Sequence, residues 1–439
     1  MPATMNDTGN TVSRGVAPQN KTAYLFPLLV MTSLFFIWGF ITALNDILIP
    51  HLKSAFSLSY VQAMLIQFAF FGAYFLVSIP AGAMIKRLGY QNGVSVGLLV
   101  AAAGCMLFYP AAEVRVYGLF LAGLFVLASG ITILQVSANP YVAVLGSPET
   151  SSSRLNFSQA INSVGHTVAP LFGALLIMGA VHSGGESGEG MADPRAVQVP
   201  YLIIAGFLIV AAIVFKLLKL PAIEGEAEPA NLARPGASIW AHKHLVLGAV
   251  AIFLYVGAEV AIGSVLINYI ALPEVAGFSE QTAAQYLTFY WGGAMVGRFI
   301  GSAILQFVAP TRVLAFNAAA CIALLVVVLT GSGHVAMWAA LGVGLFNSIM
   351  FPTIFSLGIR KLGPMTSQGS GILCLAIVGG AVVPMAQGLV ADLSGLTMSF
   401  LVPLVCYVFI GWYALKGANA GMLQSTMADS PNEATQPAG

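Results

Sequence analysis

The amino-acid sequence predicts an all-α polytopic membrane protein, with twelve transmembrane helices in two pseudo-symmetric six-helix bundles. Three observations carry that prediction. Apolar residues make up 58% of the 439 residues and charged residues only 8%, against roughly 25% charged in an ordinary globular chain. A template of about 20 apolar residues, enough to cross a hydrocarbon core of about 30 Å, can be laid on the chain twelve times. The basic residues also segregate: with both termini cytoplasmic, only Lys53, Arg115 and Arg195 among the loop lysines and arginines fall outside, as the positive-inside rule requires. Losing or adding one span would scramble that asymmetry.

The spans are expected at residues 24–49, 63–84, 91–110, 116–145, 155–181 and 200–215, then at 245–270, 284–308, 313–331, 335–359, 368–391 and 398–415. The polar stretch 220–243, LPAIEGEAEPANLARPGASIWAHK, separates six spans from six and reads as a cytoplasmic linker. The bundles then occupy 23–219 and 244–417, with cytoplasmic tails at 1–22 and 418–439. The loop 182–199 falls on the outer side and reads as a mobile, dispensable insertion. Internal repetition supports the division: VGHTVAP at Val164–Pro170 answers VGGAVVP at Val378–Pro384 in the equivalent span of the other half, and GAMI from Gly82 answers GSAI from Gly301.

A formal net charge of +1 gives no case for nucleic acid. The sequence holds no P-loop, dinucleotide fingerprint or metal-spaced His/Cys cluster, and no nucleophile–base–orienter set that would make it an enzyme. The four cysteines, Cys105, Cys321, Cys374 and Cys406, lie singly in apolar stretches and read as packing residues. The first 22 residues are polar and lack the apolar core of a removable signal peptide.

Ionisable side chains inside a span are costly and usually face a protein interior or a watery cavity. In the first span, FITALNDILIP places Asp46 four residues after Thr42 and eight after Trp38, with Asn45 beside it, so one stripe presents an indole, a hydroxyl, an amide and a carboxylate. That set suits a sugar; the alternative is an Asp46 that snorkels to the outer interface or caps a neighbouring helix. In the fourth span, ILQVSANPYV, Gln135 is expected on the cavity. Asn139 is open to two readings, a ligand or part of a kink at Pro140, where the missing N–H frees backbone carbonyls. Gln159, Asn162 and His166 in the fifth span form the longest polar stripe, too expensive to face lipid, with helix-to-helix bonding as the plainer reading. His166 is of second rank, because a lone membrane histidine commonly serves packing.

The seventh span puts Glu259 near the membrane centre, one turn after Tyr255. Three roles are open to it: sugar ligand, cation carrier, or partner of Arg298 in the eighth span. Asn268 lies nine residues on, on the opposite face of a straight helix, and joins the same cavity only if the helix breaks near Gly263. Tyr290 and Asn347 are second-rank candidates.

FFIWGFITALNDILIPHLK, IPAGAMIKRLGYQNG, ANPYV and YWGGAMVGRFIG resemble the fucose–proton symporter family of the major facilitator superfamily, and YVGAEVAIGSVLINY resembles its glucose/galactose transporter branch. The resemblance runs from about Phe35 to Gly388. It implies two six-helix halves rocking around a central site, and sugar chemistry for Asn45, Gln135, Gln159 and Asn162. The superfamily loop pattern G-x-x-x-D-R-x-G-R begins here at Gly82, with Lys86 in the acidic place and Tyr90 in a basic one. Arg87 and Gly89 remain as conformational residues, alongside Pro140 and Arg298. In proton-coupled fucose transporters the carboxylate matching Asp46 works with an acidic residue in the fourth helix. That position is Gln135 here, and Glu259 supplies a carboxylate from the other half instead.

The expectation is therefore a secondary active transporter that imports a hexose, glucose- or galactose-like with fucose next, by alternating access. Asp46 and Glu259 would couple it to a cation gradient, proton first and sodium second, with Trp38, Asn45, Asp46, Gln135, Gln159, Asn162, Glu259 and Asn268 as substrate ligands. No enzymatic cofactor or resident metal is expected. The partners are a sugar and membrane lipid, the chain acts as a monomer, and the location is a bacterial cytoplasmic (inner) membrane. A multidrug/proton antiporter of the same fold is the alternative; a non-transporting membrane sugar sensor or channel is the alternative of another class.

Overall fold

The computed structural model describes residues 24–56, 60–173, 194–221 and 238–421, with the side chains of 44–55, 60–64, 170–173, 194 and 196 outside that description. The tails, most of the 220–243 linker and most of the 182–199 loop lie outside the described residues, as do the side chains of Asn45 and Asp46.

Among the described residues the chain forms helices and no strand. The first bundle contains α1 (Leu25–Ala55), α2 (Tyr60–Leu88), α3 (Tyr90–Val114), α4 (Tyr117–Val144), α5 (Ser151–Gly173) and α6 (Gln198–Leu217). The second contains α7 (Lys243–Ala271), α8 (Glu280–Ile304), α9 (Pro310–Thr330), α10a (Gly333–Asn347) with α10b (Met350–Gly358), α11a (Thr366–Leu375) with α11b (Gly379–Ser394), and α12 (Leu401–Leu415). Among the described residues, ten spans are long and apolar enough to cross a membrane. The two described helices that fall short, α5 and α8, are polar along the face each turns toward the other bundle. A polar face spoils the hydropathy of a span whenever it is turned away from lipid.

Local sequence explains the turns and breaks that aim these helices. Gly89, with φ at 81°, links α2 to α3 in one residue, a conformation L-residues avoid. Pro140 sits inside an unbroken α4, its lost hydrogen bond tolerated within the packed bundle. Two spans expected to be continuous are interrupted. The tenth breaks at Ser348–Ile349, where the Ser348 hydroxyl turns back onto the Leu345 carbonyl at 2.7 Å, and the eleventh passes through a 3-10 turn at Ala376–Val378.

The halves meet at the end of the molecule that holds the α2–α3 turn. Lys86 and Arg87 lie there on the last turn of α2, Lys216 on the last turn of α6 and Arg360 just past α10b, so we call it the basic end. Its seam is built from small residues and hydroxyls. Ser153 Oγ donates to the Ser302 carbonyl at 2.7 Å and Ser302 Oγ returns a bond to the Ser153 carbonyl at 3.1 Å. Ser152 and Ser356 hydroxyls pair at 2.6 Å, and Asn156 Nδ2 donates to Thr353 Oγ1 at 3.1 Å. A Cβ added at Gly82 would stand 2.8 Å from the Ser367 carbonyl, and one at Gly371 2.7 Å from that of Ser78, so α2 and α11a touch through backbone.

Candidate functional site

Above this seam, between the bundles, lies a cavity of about 160 Å³ lined by side chains of both halves. It adjoins a more apolar cavity of about 360 Å³ that shares Thr42 and leads away from the basic end past Phe70, Ser264 and Trp291.

The first bundle supplies a neutral wall. Backbone packing of α1 on α5 fixes part of it: a Cβ at Gly39 would fall 2.3 Å from the Asn162 carbonyl, and one at Gly165 2.4 Å from that of Phe36. This contact brings Trp38 and Asn162 side by side. Trp38 is buried and packs against Phe35 with ring centroids 4.2 Å apart and planes tilted by 33°. Asn162 Nδ2 donates to the Phe35 carbonyl at 2.8 Å, which spends one side of the amide on α1. Gln135 Nε2 donates to the Tyr74 hydroxyl at 2.6 Å. Gln159 and His166 complete the wall from α5. Thr42 turns its hydroxyl back to the Trp38 carbonyl at 2.8 Å, so the member of the α1 stripe most akin to a sugar hydroxyl is already engaged.

The second bundle supplies a charged wall. Arg298 Nη2 stands 3.6 Å from Glu259 Oε1, both side chains mostly buried. Arg298 Nε donates to the Ser348 carbonyl at 3.2 Å, an acceptor exposed by the break between α10a and α10b. Nη1 donates across the cavity to Ser163 Oγ, whose own hydroxyl donates to the Gln159 carbonyl at 3.1 Å. Two unit charges near 4 Å attract by roughly 4 kcal/mol at an effective dielectric of 20. Desolvating each ion costs several kcal/mol, so the pair breaks even only when hydrogen bonds serve both partners. Arg298 has those bonds. Glu259 Oε1 is buried without a hydrogen-bond partner in the protein.

The structure thus brings Trp38, Gln135, Gln159, Asn162, His166, Glu259 and Arg298 to one cavity. Asn268 is not among them, a correction to the expectation: α7 runs unbroken past Gly263, and the residue is exposed on its far side. Asn139 is fully buried outside the cavity lining. Tyr290 and Asn347 are likewise buried behind the wall, where Asn347 Nδ2 donates to the Tyr290 hydroxyl at 3.0 Å and that hydroxyl to the Glu259 carbonyl at 3.1 Å. Arg87 is exposed at the basic end. Sequence reasoning missed Tyr74, which lines the cavity and holds Gln135; its one sign was a tyrosine four residues after Phe70 in an otherwise apolar span.

A helical membrane protein with a polar cavity shared by two six-helix bundles has the architecture of a transporter rather than of an enzyme. The Major Facilitator Superfamily model matches residues 30–376, and the chain belongs to that superfamily. A glucose/galactose transporter of Brucella abortus biovar 1 (strain 9-941) is 56% identical over 418 residues, 95% of this chain and 100% of that protein. An L-fucose-proton symporter of Escherichia coli (strain K12) is 37% identical over 408 residues, 89% and 93% of the two chains. The crystal structure of FucP, a major facilitator superfamily transporter in the outward conformation, matches with a TM-score of 0.81 at 37% identity, covering 89% of this chain and 98% of that one.

Proposed function

We propose that this chain is a secondary active sugar transporter that imports a hexose with a proton by alternating access. Glucose or galactose is the first substrate and fucose the next. The observation that carries the reading is the cavity's division between the halves: buried amides on one wall, a carboxylate with an unserved oxygen on the other. Sugar hydroxyls donate and accept at once, and amides with carboxylates answer both needs. Rocking the halves about the cavity exposes it to each side in turn.

Gln135, Gln159, Asn162 and Trp38 bind the sugar in this reading, Glu259 meets it from the second half, and Asp46 and Glu259 handle the proton. The basic end faces the cytoplasm of a bacterial inner membrane, with both tails inside. The seam at the basic end is shut and the wider cavity leads away from it, which supports reading this conformation as outward-facing. Both walls come from one chain, so a monomer holds a complete site. Uptake of labelled hexoses into proteoliposomes, under proton and sodium gradients imposed separately, tests the proposal. Concentrative glucose or galactose uptake driven by the proton gradient is expected; accumulation under sodium alone, or none of any hexose, refutes it.

A further inference from the structure

In the second bundle, at and behind the charged wall, four buried polar atoms have no hydrogen-bond partner in the protein: Glu259 Oε1 and the Tyr255 hydroxyl, whose residues line the cavity, and Asn347 Oδ1 and the Tyr407 hydroxyl behind them. Tyr255 and Tyr407 are almost wholly enclosed and Asn347 is fully so. They come from three helices, α7, α10a and α12, that converge on one place. Tyr255 stands beside the Glu259 carboxylate on the same face of α7, and Tyr407 beside Asn347, neither in hydrogen-bond geometry. Between the pairs runs the chain already described, from Asn347 through the Tyr290 hydroxyl to the Glu259 backbone carbonyl. Buried polar atoms are rarely left unserved, and orphans clustered together mark an occupant.

We infer that this cluster is an internal hydration site: ordered water bridges Glu259, Tyr255, Asn347 and Tyr407, and forms a proton relay that runs from Glu259 at the cavity wall into the second bundle. Water fits the donor set, since two hydroxyls, an amide oxygen and a carboxylate oxygen provide the two to four polar partners that a buried water requires. A sodium ion fits less well. Arg298 already balances the single carboxylate at 3.6 Å, so a cation would leave net positive charge in the membrane core. The groups facing Glu259 from the packed elements are Tyr255 on its own helix and Arg298 and Tyr290 on α8, with Tyr407 on α12 facing Tyr255 and Tyr290. His166 on α5 faces Arg298 from across the cavity, and Cys321 on α9 lies behind Tyr290. Among them Glu259 has an oxygen open to the cluster, and the proton it takes passes between that oxygen and bridging water, with no bond to carbon made or broken.

The relay rests on the proposed proton-coupled transport; the hydration does not, so the two are tested apart. Radiolysis of bound water by an X-ray pulse oxidises side chains that touch it, and mass spectrometry of the purified, sodium-free protein locates the products. Tyr255 and Tyr407 should be oxidised at doses that modify Tyr109, which is 44% exposed, while the fully buried Tyr413 stays unmodified. Tyr407→Phe should lower oxidation at Tyr255 by the share that the buried water supplies over the cavity, about twofold, because a buried water that loses a partner is held less well. The same variant should lower proton-driven uptake while leaving hexose counterflow within about twofold, since its ring lies outside the cavity lining. An unmodified Tyr407, which lies off the cavity lining, overturns the hydration site. Protection of Tyr255 by sodium but not potassium overturns it in favour of a cation. Oxidation as expected with proton-driven uptake unchanged in Tyr407→Phe retains the water and overturns the relay.

Discussion

The two walls of the central cavity differ in how their polar groups are supported. On the first bundle each amide with an assigned bond is anchored by a neighbour in the same bundle, Asn162 on the Phe35 carbonyl and Gln135 on Tyr74. On the second bundle the guanidinium of Arg298 is tied to two helices and to the opposite bundle, while the carboxylate it balances is under-served. A wall of fixed neutral groups suits recognition, because its shape and charge persist from one state to the next. A wall whose charges lean on a partner across the gap suits switching, because rocking must change its bonds.

Substitutions can break or sharpen that contrast. The largest effect is expected on the charged wall: Arg298→Ala strands a buried carboxylate and should cost about 3–5 kcal/mol, read as a fall in Tm of the purified protein. Glu259→Gln together with Arg298→Gln should recover most of that stability without restoring transport. Were the double variant as unstable as Arg298→Ala, the stabilising role of the pair would be wrong. Next in size is Asp46→Asn, which should abolish gradient-driven uptake and keep hexose counterflow; concentrative uptake by this variant would remove Asp46 from coupling. On the neutral wall, Asn162→Ala and Gln159→Ala should each weaken hexose binding about 3–10-fold, the worth of one uncharged hydrogen bond of about 0.5–1.5 kcal/mol, measured by competition in counterflow. The smallest effect is expected from Thr42→Val, under about twofold in affinity, because the hydroxyl it removes is spent on its own helix. A large loss there would mean that Thr42 turns toward the sugar in another state.

Much of this was legible in the sequence because membrane insertion penalises misplaced polarity so heavily. Ten of the described spans stand out by hydropathy, and Gln159, Asn162 and His166 announced an inward face by spacing alone. Glu259 with Arg298 was readable for the same reason, since two opposite charges at membrane depth have few options. Asn268 was not, because its position depended on whether α7 bends at Gly263, and a glycine permits a break without requiring one. The interruption at Ser348 was legible only in part. Pro352 lies four residues on and has no N–H to bond the Ser348 carbonyl, but nothing in the sequence says that an arginine from another helix takes the carbonyl released. Tyr74 shows the same limit: a tyrosine in an aromatic-rich span reads as packing until its hydroxyl is seen holding an amide two helices away.

The carbonyl that Arg298 grips at that interruption belongs to the main chain. Every amino acid carries one, so point mutation at residue 348 cannot delete the anchor itself, only the bend that presents it. The heritable target is therefore spread over the residues that shape the bend, and related chains are free to differ at 348 while keeping the same grip on their arginine.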